Sequence, residues 1–200
     1  MKRRTFLVAL PAVAGALRAA VIEAAPAQDV EYLRALERAQ LQRPRALQSR
    51  ARIAPVGEPG TPLVISGRLF QADGLTAAAG FTVFAYHTDA QGHYDLPSRG
   101  PHSWRLKGWA LTDVEGRFEF TTIRPAPYPS RTQAAHVHVT FESPQLPRRS
   151  SGIQFSDDPL VSREDREAST KAGRFGSVLT VTTKQGVQHV TWNVRVTDAS

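Results

Sequence analysis

The chain of 200 residues has no cysteine. That absence removes disulfides, thiolate metal sites and cysteine nucleophiles together. It also lacks long hydrophobic runs. The apolar stretch FLVALPAVAGAL at 6–17 falls short of the ~20 residues a membrane helix needs. Acidic residues are the scarcer charge, 18 against 25 lysines and arginines. The basic surplus is scattered, and no Lys/Arg stripe is interleaved with aromatics, so nucleic acid is not an expected partner. There is no internal repeat and no low-complexity tract. The content is 41% hydrophobic and 22% charged, the balance of an ordinary globular protein, and the length suits one domain.

Residues 1–27 have the anatomy of an export signal. Lys2, Arg3 and Arg4 form a charged head, the apolar stretch follows, and Ala25-Pro26-Ala27 is a small-residue cleavage site, with Arg18-Ala19-Ala20 as an earlier one. RRTFL at 3–7 resembles a twin-arginine signal, which carries folded proteins. An uncleaved anchor is the competing reading. Removing residues 1–27 lowers the formal charge from +7 to +4. The mature chain is expected to be exported, periplasmic or extracellular, with no integral membrane span.

Residues 28–59 read as a helix and a linker arm. DVEYLRALERAQLQ (29–42) is amphipathic, with Asp29 as the expected N-cap, Tyr32, Leu33, Leu36 and Leu41 as a partial apolar face, and Pro44 as the stop. It suits a docking or dimer element, and equally a disordered tail. A homo-oligomer stays open. The stretch 43–62 is basic, then rich in Pro and Gly, as in a linker or wrapping arm.

Residues 60–200 alternate short strands and turns. LVISGRLF (63–70), GFTVFAYH (80–87), RLKGWALT (105–112), GRFEFTTI (116–123), AHVHVTF (135–141), GSVLTVTT (176–183) and QHVTWNVRV (188–196) have strand composition. ADG, AQG, VEG and KQG mark turns between them. The expected fold class is all-β, an antiparallel β-sandwich with a short N-terminal helix. SREDREAST (162–170) is the one later segment suited to a helical turn.

The chemistry concentrates in TTIRPAPYPSRTQAAHVHVTF, residues 121–141. Period-2 alternation on a strand puts His136 and His138 on one face and Val137, Val139 and Phe141 on the other. Tyr128 stands eight residues before His136, and Tyr94 in HTDAQGHY is a candidate fourth ligand. Taken singly, each Tyr and each strand His is more often structural. Together, two phenols and two imidazoles form an unusual donor set. Structural zinc favours thiolate and imidazole; calcium and magnesium favour carboxylate and water. Phenolate is a hard anionic donor, and a phenol of pKa about 10 gives up its proton to a trivalent cation. The donor set points to Fe(III).

These residues, with the flanks DG (73–74), FTVFAYHTDA, TDVEGRFEFTTIRPAPYP and FSDDPL (155–160), resemble the intradiol ring-cleavage dioxygenases, over roughly residues 60–195. The resemblance implies one Fe(III) per chain, held by Tyr94, Tyr128, His136 and His138. Tyr128 and His138 would be axial, Tyr94 and His136 equatorial, with hydroxide as fifth ligand. It implies an aromatic diol and O₂ as substrates, with ring opening between the hydroxylated carbons to a muconate-type diacid. Tyr128 and the hydroxide would take the substrate's protons.

One position departs from the family pattern. The Arg usual three residues before the first His is Gln133, and Arg131 lies two residues earlier. Gln133, Arg131 and Tyr128 are the expected catalytic residues. Gln cannot stabilise negative charge as Arg does, so a slow relative is one alternative reading. A non-enzymatic module like transthyretin or the carboxypeptidase-regulatory domains is another. His87, His93 and His102 are expected to be solvated, and Asp157-Asp158 to form a turn. The loop Gly74–Gly80 and the segment 98–104 are the expected pocket walls.

Overall fold

The computed structural model describes residues 27–95 and 104–196. The proposed signal and most of the 98–104 wall, including His102, lie outside the described residues. Among the described residues no helix is long and apolar enough to cross a membrane.

The first sheet is built from β1 (Arg50–Arg52), β2 (Pro62–Phe70), β5 (Arg117–Ile123), β9 (Thr182–Lys184) and β10 (Val187–Arg195). The second contains β3 (Thr82–His87), β4 (Leu106–Leu111), β6 (His136–Ser143), β7 (Leu146–Phe155) and β8 (Val178–Leu179). Strand order is β1-β5-β2-β10-β9 in one and β4-β3-β6-β7-β8 in the other. Leu63, Ile65, Leu69, Phe120 and Trp192 from the first sheet meet Val83, Val137, Val139, Phe141 and Ile153 from the second, all buried in one core. A sandwich is the outcome the alternation predicts.

The sheets are mixed rather than purely antiparallel. β10 runs parallel to β2, β1 to β5 and β8 to β7. β10 comes back to β2 only after the chain has built the second sheet, so no hairpin forces an antiparallel pairing. GSVLTVTT is not one strand. It divides at Thr180–Val181, with β8 in one sheet and β9 in the other. β1 and β7 are additional strands. In β7 the run RRSS carries no apolar alternation; Ile153 and Phe155 are buried in the core, and Leu146 packs against it half-buried.

The expected helical turn is α2 (Arg163–Ala172), capped by Ser162, whose hydroxyl accepts from the Asp165 amide at 3.0 Å. The first helix, α1 (Ala27–Gln40), begins two residues before Asp29. Its docking face is also shifted. Ala35, Leu36 and Ala39 are buried, with Tyr32 half-buried, whereas Leu33 is 53% and Leu41 87% exposed. They pack on Phe84, Tyr86, Trp104 and Trp109, a second apolar cluster on the outer face of the second sheet. The arm after α1 lies across both sheets: Gln48 O accepts from Leu111 N of β4, and Ser49 O from Glu119 N of β5.

Candidate metal centre

β6 lies between β3 and β7, so its backbone is fixed on both edges. Val137, Val139 and Phe141 are at most 3% exposed in the core. His136 and His138 are half-buried on the opposite, outer face. Burial of the valines therefore dictates where the imidazoles point. The start of β6 is held by Asp158, whose buried carboxylate accepts from the Ala135 amide at 2.7 Å. FSDDPL does form a turn, but its second aspartate is an anchor for the residue preceding His136.

The phenols come from two loops that hold each other. The Tyr94 loop is closed by Asp89, which accepts from the amides of Gln91 and His93 at 2.9 and 3.0 Å. Arg105 bridges Asp89 to Glu58, at 3.3 and 2.6 Å. The Tyr128 loop is pinned by the Thr88 hydroxyl, which donates to the Ala126 carbonyl at 2.7 Å. Gly92, at φ 87°, lets the Pro127 carbonyl approach; a Cβ there would collide with it.

Four donor atoms then close a ring. Tyr94 Oη lies 2.5 Å from Tyr128 Oη, Tyr128 Oη 3.0 Å from His136 Nε2, His136 Nε2 3.0 Å from His138 Nε2, and His138 Nε2 2.9 Å from Tyr94 Oη. His136 Nδ1 lies 2.7 Å from the Ala134 carbonyl, which only accepts, so Nδ1 carries the proton and Nε2 presents a lone pair. The neutral ring then has three protons at most for four contacts: one on each phenol and one on His138 Nε2. Hydrogen bonding alone leaves one contact unfilled. A cation held by lone pairs from Tyr94, Tyr128, His136 and His138 would satisfy all four atoms. No group of three or more His, Cys, Asp and Glu gathers elsewhere among the described residues.

Burial keeps Tyr94 and His138 uncharged without a cation. It raises the Tyr94 phenol far above its usual range, reinforced by the hydrogen bond to Tyr128. It lowers His138 to about 4, with His136 adding to the effect. Only a highly charged ion removes the phenol proton in such a place. The residues present fit a ferric ion. Tyr86 stacks on His138 at 4.7 Å and on Trp104 at 3.9 Å, which fixes the His138 ring plane.

A cavity of about 490 Å³ opens beside both histidines. Gln133 lines it. Arg131 is exposed and is not among the lining residues; its backbone amide donates to the Tyr128 carbonyl at 2.7 Å. The Gly74–Gly80 loop is not a wall either: Gly74 packs near Phe175 and Arg195 instead. The walls come from β7, the turn after it and the start of α2, through Gly152, Gln154, Leu160 and Asp165. Gln154 lies opposite His136 in the β6–β7 ladder; a sequence reading that had paired a strand with β6 on its C-terminal side would have found it. His93 is exposed as expected. His87 is not. It is fully buried, with Nδ1 2.6 Å from the Thr88 carbonyl and Nε2 2.7 Å from the Thr122 hydroxyl. Its place on β3 withdraws it from solvent.

The class is that of a β-sandwich in which two loop phenols meet two strand imidazoles over one outer sheet face, and comparison with known proteins narrows it. A family model described as Dioxygenase matches residues 38–198. The chain belongs to the intradiol ring-cleavage dioxygenase family. Catechol 1,2-dioxygenase 2 of Acinetobacter lwoffii is 26% identical over 127 residues, covering 56% of this chain and 46% of that one. The 6-chlorohydroxyquinol 1,2-dioxygenase of Cupriavidus pinatubonensis is 36% identical over 73 residues, 36% of this chain and 26% of that one. The chain thus spans less than half the length of these curated relatives. Among solved structures, a dioxygenase domain from Streptomyces sp. SirexAA-E superposes with a TM-score of 0.59 at 20% identity, covering 78% of this chain and 92% of that one. Acinetobacter radioresistens catechol 1,2 dioxygenase gives 0.59 at 18%, covering 86% and 69%. These likenesses establish the β-sandwich fold.

Proposed function

We propose that this chain is a ferric dioxygenase that opens a catechol-type ring between its two hydroxylated carbons, adding both atoms of O₂ to give a muconate-type diacid. The closed ring of Tyr94, Tyr128, His136 and His138 carries the reading. When bound, one ferric ion would supply an electron sink and a template for the chelated diol. His136 and His138 offer neutral lone pairs from a rigid strand. Tyr94, on the loop closed by Asp89, completes the frame. Tyr128 sits on a loop rather than a strand, and its phenolate oxygen is the base that takes a substrate hydroxyl proton. Gln133 and Gln154 line the cavity and offer amide donors to the ring oxygens. A transthyretin-like module has no use for four converging donors. Residues 1–27 are proposed to direct export.

The deciding measurement is the visible spectrum and iron content of the purified chain. A wine-red protein with one iron per chain is expected. A protein that stays colourless after iron is added overturns the enzyme reading.

A further inference from the structure

Among the described residues, no lysine or arginine lines the cavity beside His136 and His138. Its polar wall is amide and hydroxyl, from Gln133, Gln154, Ser151 and Ser162, and its charged lining residue is Asp165. The two arginines of α2 nearest Asp165 are engaged elsewhere. Arg166 donates to the carbonyls of Ser156 and Asp158 at 2.9 and 3.0 Å, and Arg163 pairs with Glu167 at 2.6 Å. Asp165 is held by uncharged donors: its Oδ2 accepts from the Ser162 hydroxyl at 2.8 Å and the Gln154 amide at 3.3 Å. Gln154 in turn lies opposite His136. One cross-strand pair and one amide therefore link the donor ring to a carboxylate on the cavity wall.

We propose that this cavity selects catechols by the charge of their ring substituent, with Asp165 as the specificity residue. Arms ending in an ammonium or a hydroxyl are accepted, and arms ending in a carboxylate are turned away. The proposal rests on the catechol-binding reading given above. An arm that leaves the ring over Gln154 reaches a wall with hydroxyls and amides to bond a neutral or cationic end. A carboxylate arm would give up its water for no cation and would face a like charge at Asp165. Specificity of this kind comes from the repulsive element as much as from the attractive one.

The test uses dopamine, hydroxytyrosol and homoprotocatechuate, catechols whose short arms end in an ammonium, a hydroxyl and a carboxylate. Each is titrated into the ferric protein while the visible spectrum is followed. Dopamine should bind about threefold more tightly than hydroxytyrosol, the gain expected of an exposed ion pair. Homoprotocatechuate should bind about tenfold more weakly than hydroxytyrosol, one decade in Kd. Asp165→Lys, a change at an exposed position of α2, should invert the order of the amine and the acid. Equal affinity for the three, or an unchanged order in the variant, overturns the charge selection and leaves the catechol reading standing. No spectral response to any of the three overturns the catechol reading itself, and this proposal with it.

Discussion

His87 and His138 lie on neighbouring strands, and both are held neutral by burial, each with a pKa lowered to about 4. Their partners differ. His87 is 0% exposed, and each ring nitrogen has one partner, a carbonyl at one end and a hydroxyl at the other. It is chemically saturated. His138 is half-buried and lines the cavity. Its Nε2 crowds against another imidazole and a phenol with too few protons to satisfy them. The lesson is that depth does not mark a ligand. What marks it is a lone pair aimed at other lone pairs.

Substitution at each histidine tests this contrast. His138→Ala and His136→Ala should each lose most of the bound iron, at least the tenfold to hundredfold seen even for weaker supporting changes. Full retention in either would end the ligand assignment. Tyr128→Phe should weaken the visible charge-transfer colour and slow turnover by about a hundredfold, with circular dichroism unchanged. Unaltered colour and rate would take Tyr128 out of the site.

His87→Ala should show the opposite pattern: iron per folded chain is kept, and stability falls by about 3 kcal/mol from the cavity and the orphaned partners. Denaturant unfolding with iron analysis separates the two classes. The pH dependence follows from the lowered pKa. Because His87 binds its proton more readily when unfolded, its contribution is complete above 6.5 and is lost as pH falls toward about 4. The acid limb of metal-free stability should be shallower in His87→Ala than in the parent. The smallest effect is expected for Asp158→Asn, whose single amide oxygen can replace only one of the two carboxylate acceptors for the Ala135 and Leu160 amides, at a cost of about 2 kcal/mol. Iron should be retained but dissociate faster in a chelator challenge; an unchanged rate would show that the anchor is dispensable.

Much of this was legible in the sequence where one face of a strand is buried. Val137, Val139 and Phe141 announce which way His136 and His138 point, because a register slip would expose the valines. The docking of α1 was misread because its small alanines, not its exposed leucines, fit against the aromatic cluster. β7 hid because RRSSG carries no alternation and is a strand only through its pairing with β6. With β7 hidden, Gln154 and the true cavity wall were hidden too. His87 looks like a turn residue by composition. Only the carbonyl of Thr88 and the hydroxyl of Thr122, the latter 35 positions away, reveal it as core.

The aromatic stack against His138 has an optical consequence. Trp104 lies on Tyr86, and Tyr86 on His138, at 3.9 and 4.7 Å. An emitter stands two ring thicknesses from a centre that would absorb visible light when loaded. The indole emission of Trp104 should dim as the centre fills and recover as it empties, so the chain carries its own gauge of occupancy, readable without an added dye or a turnover assay.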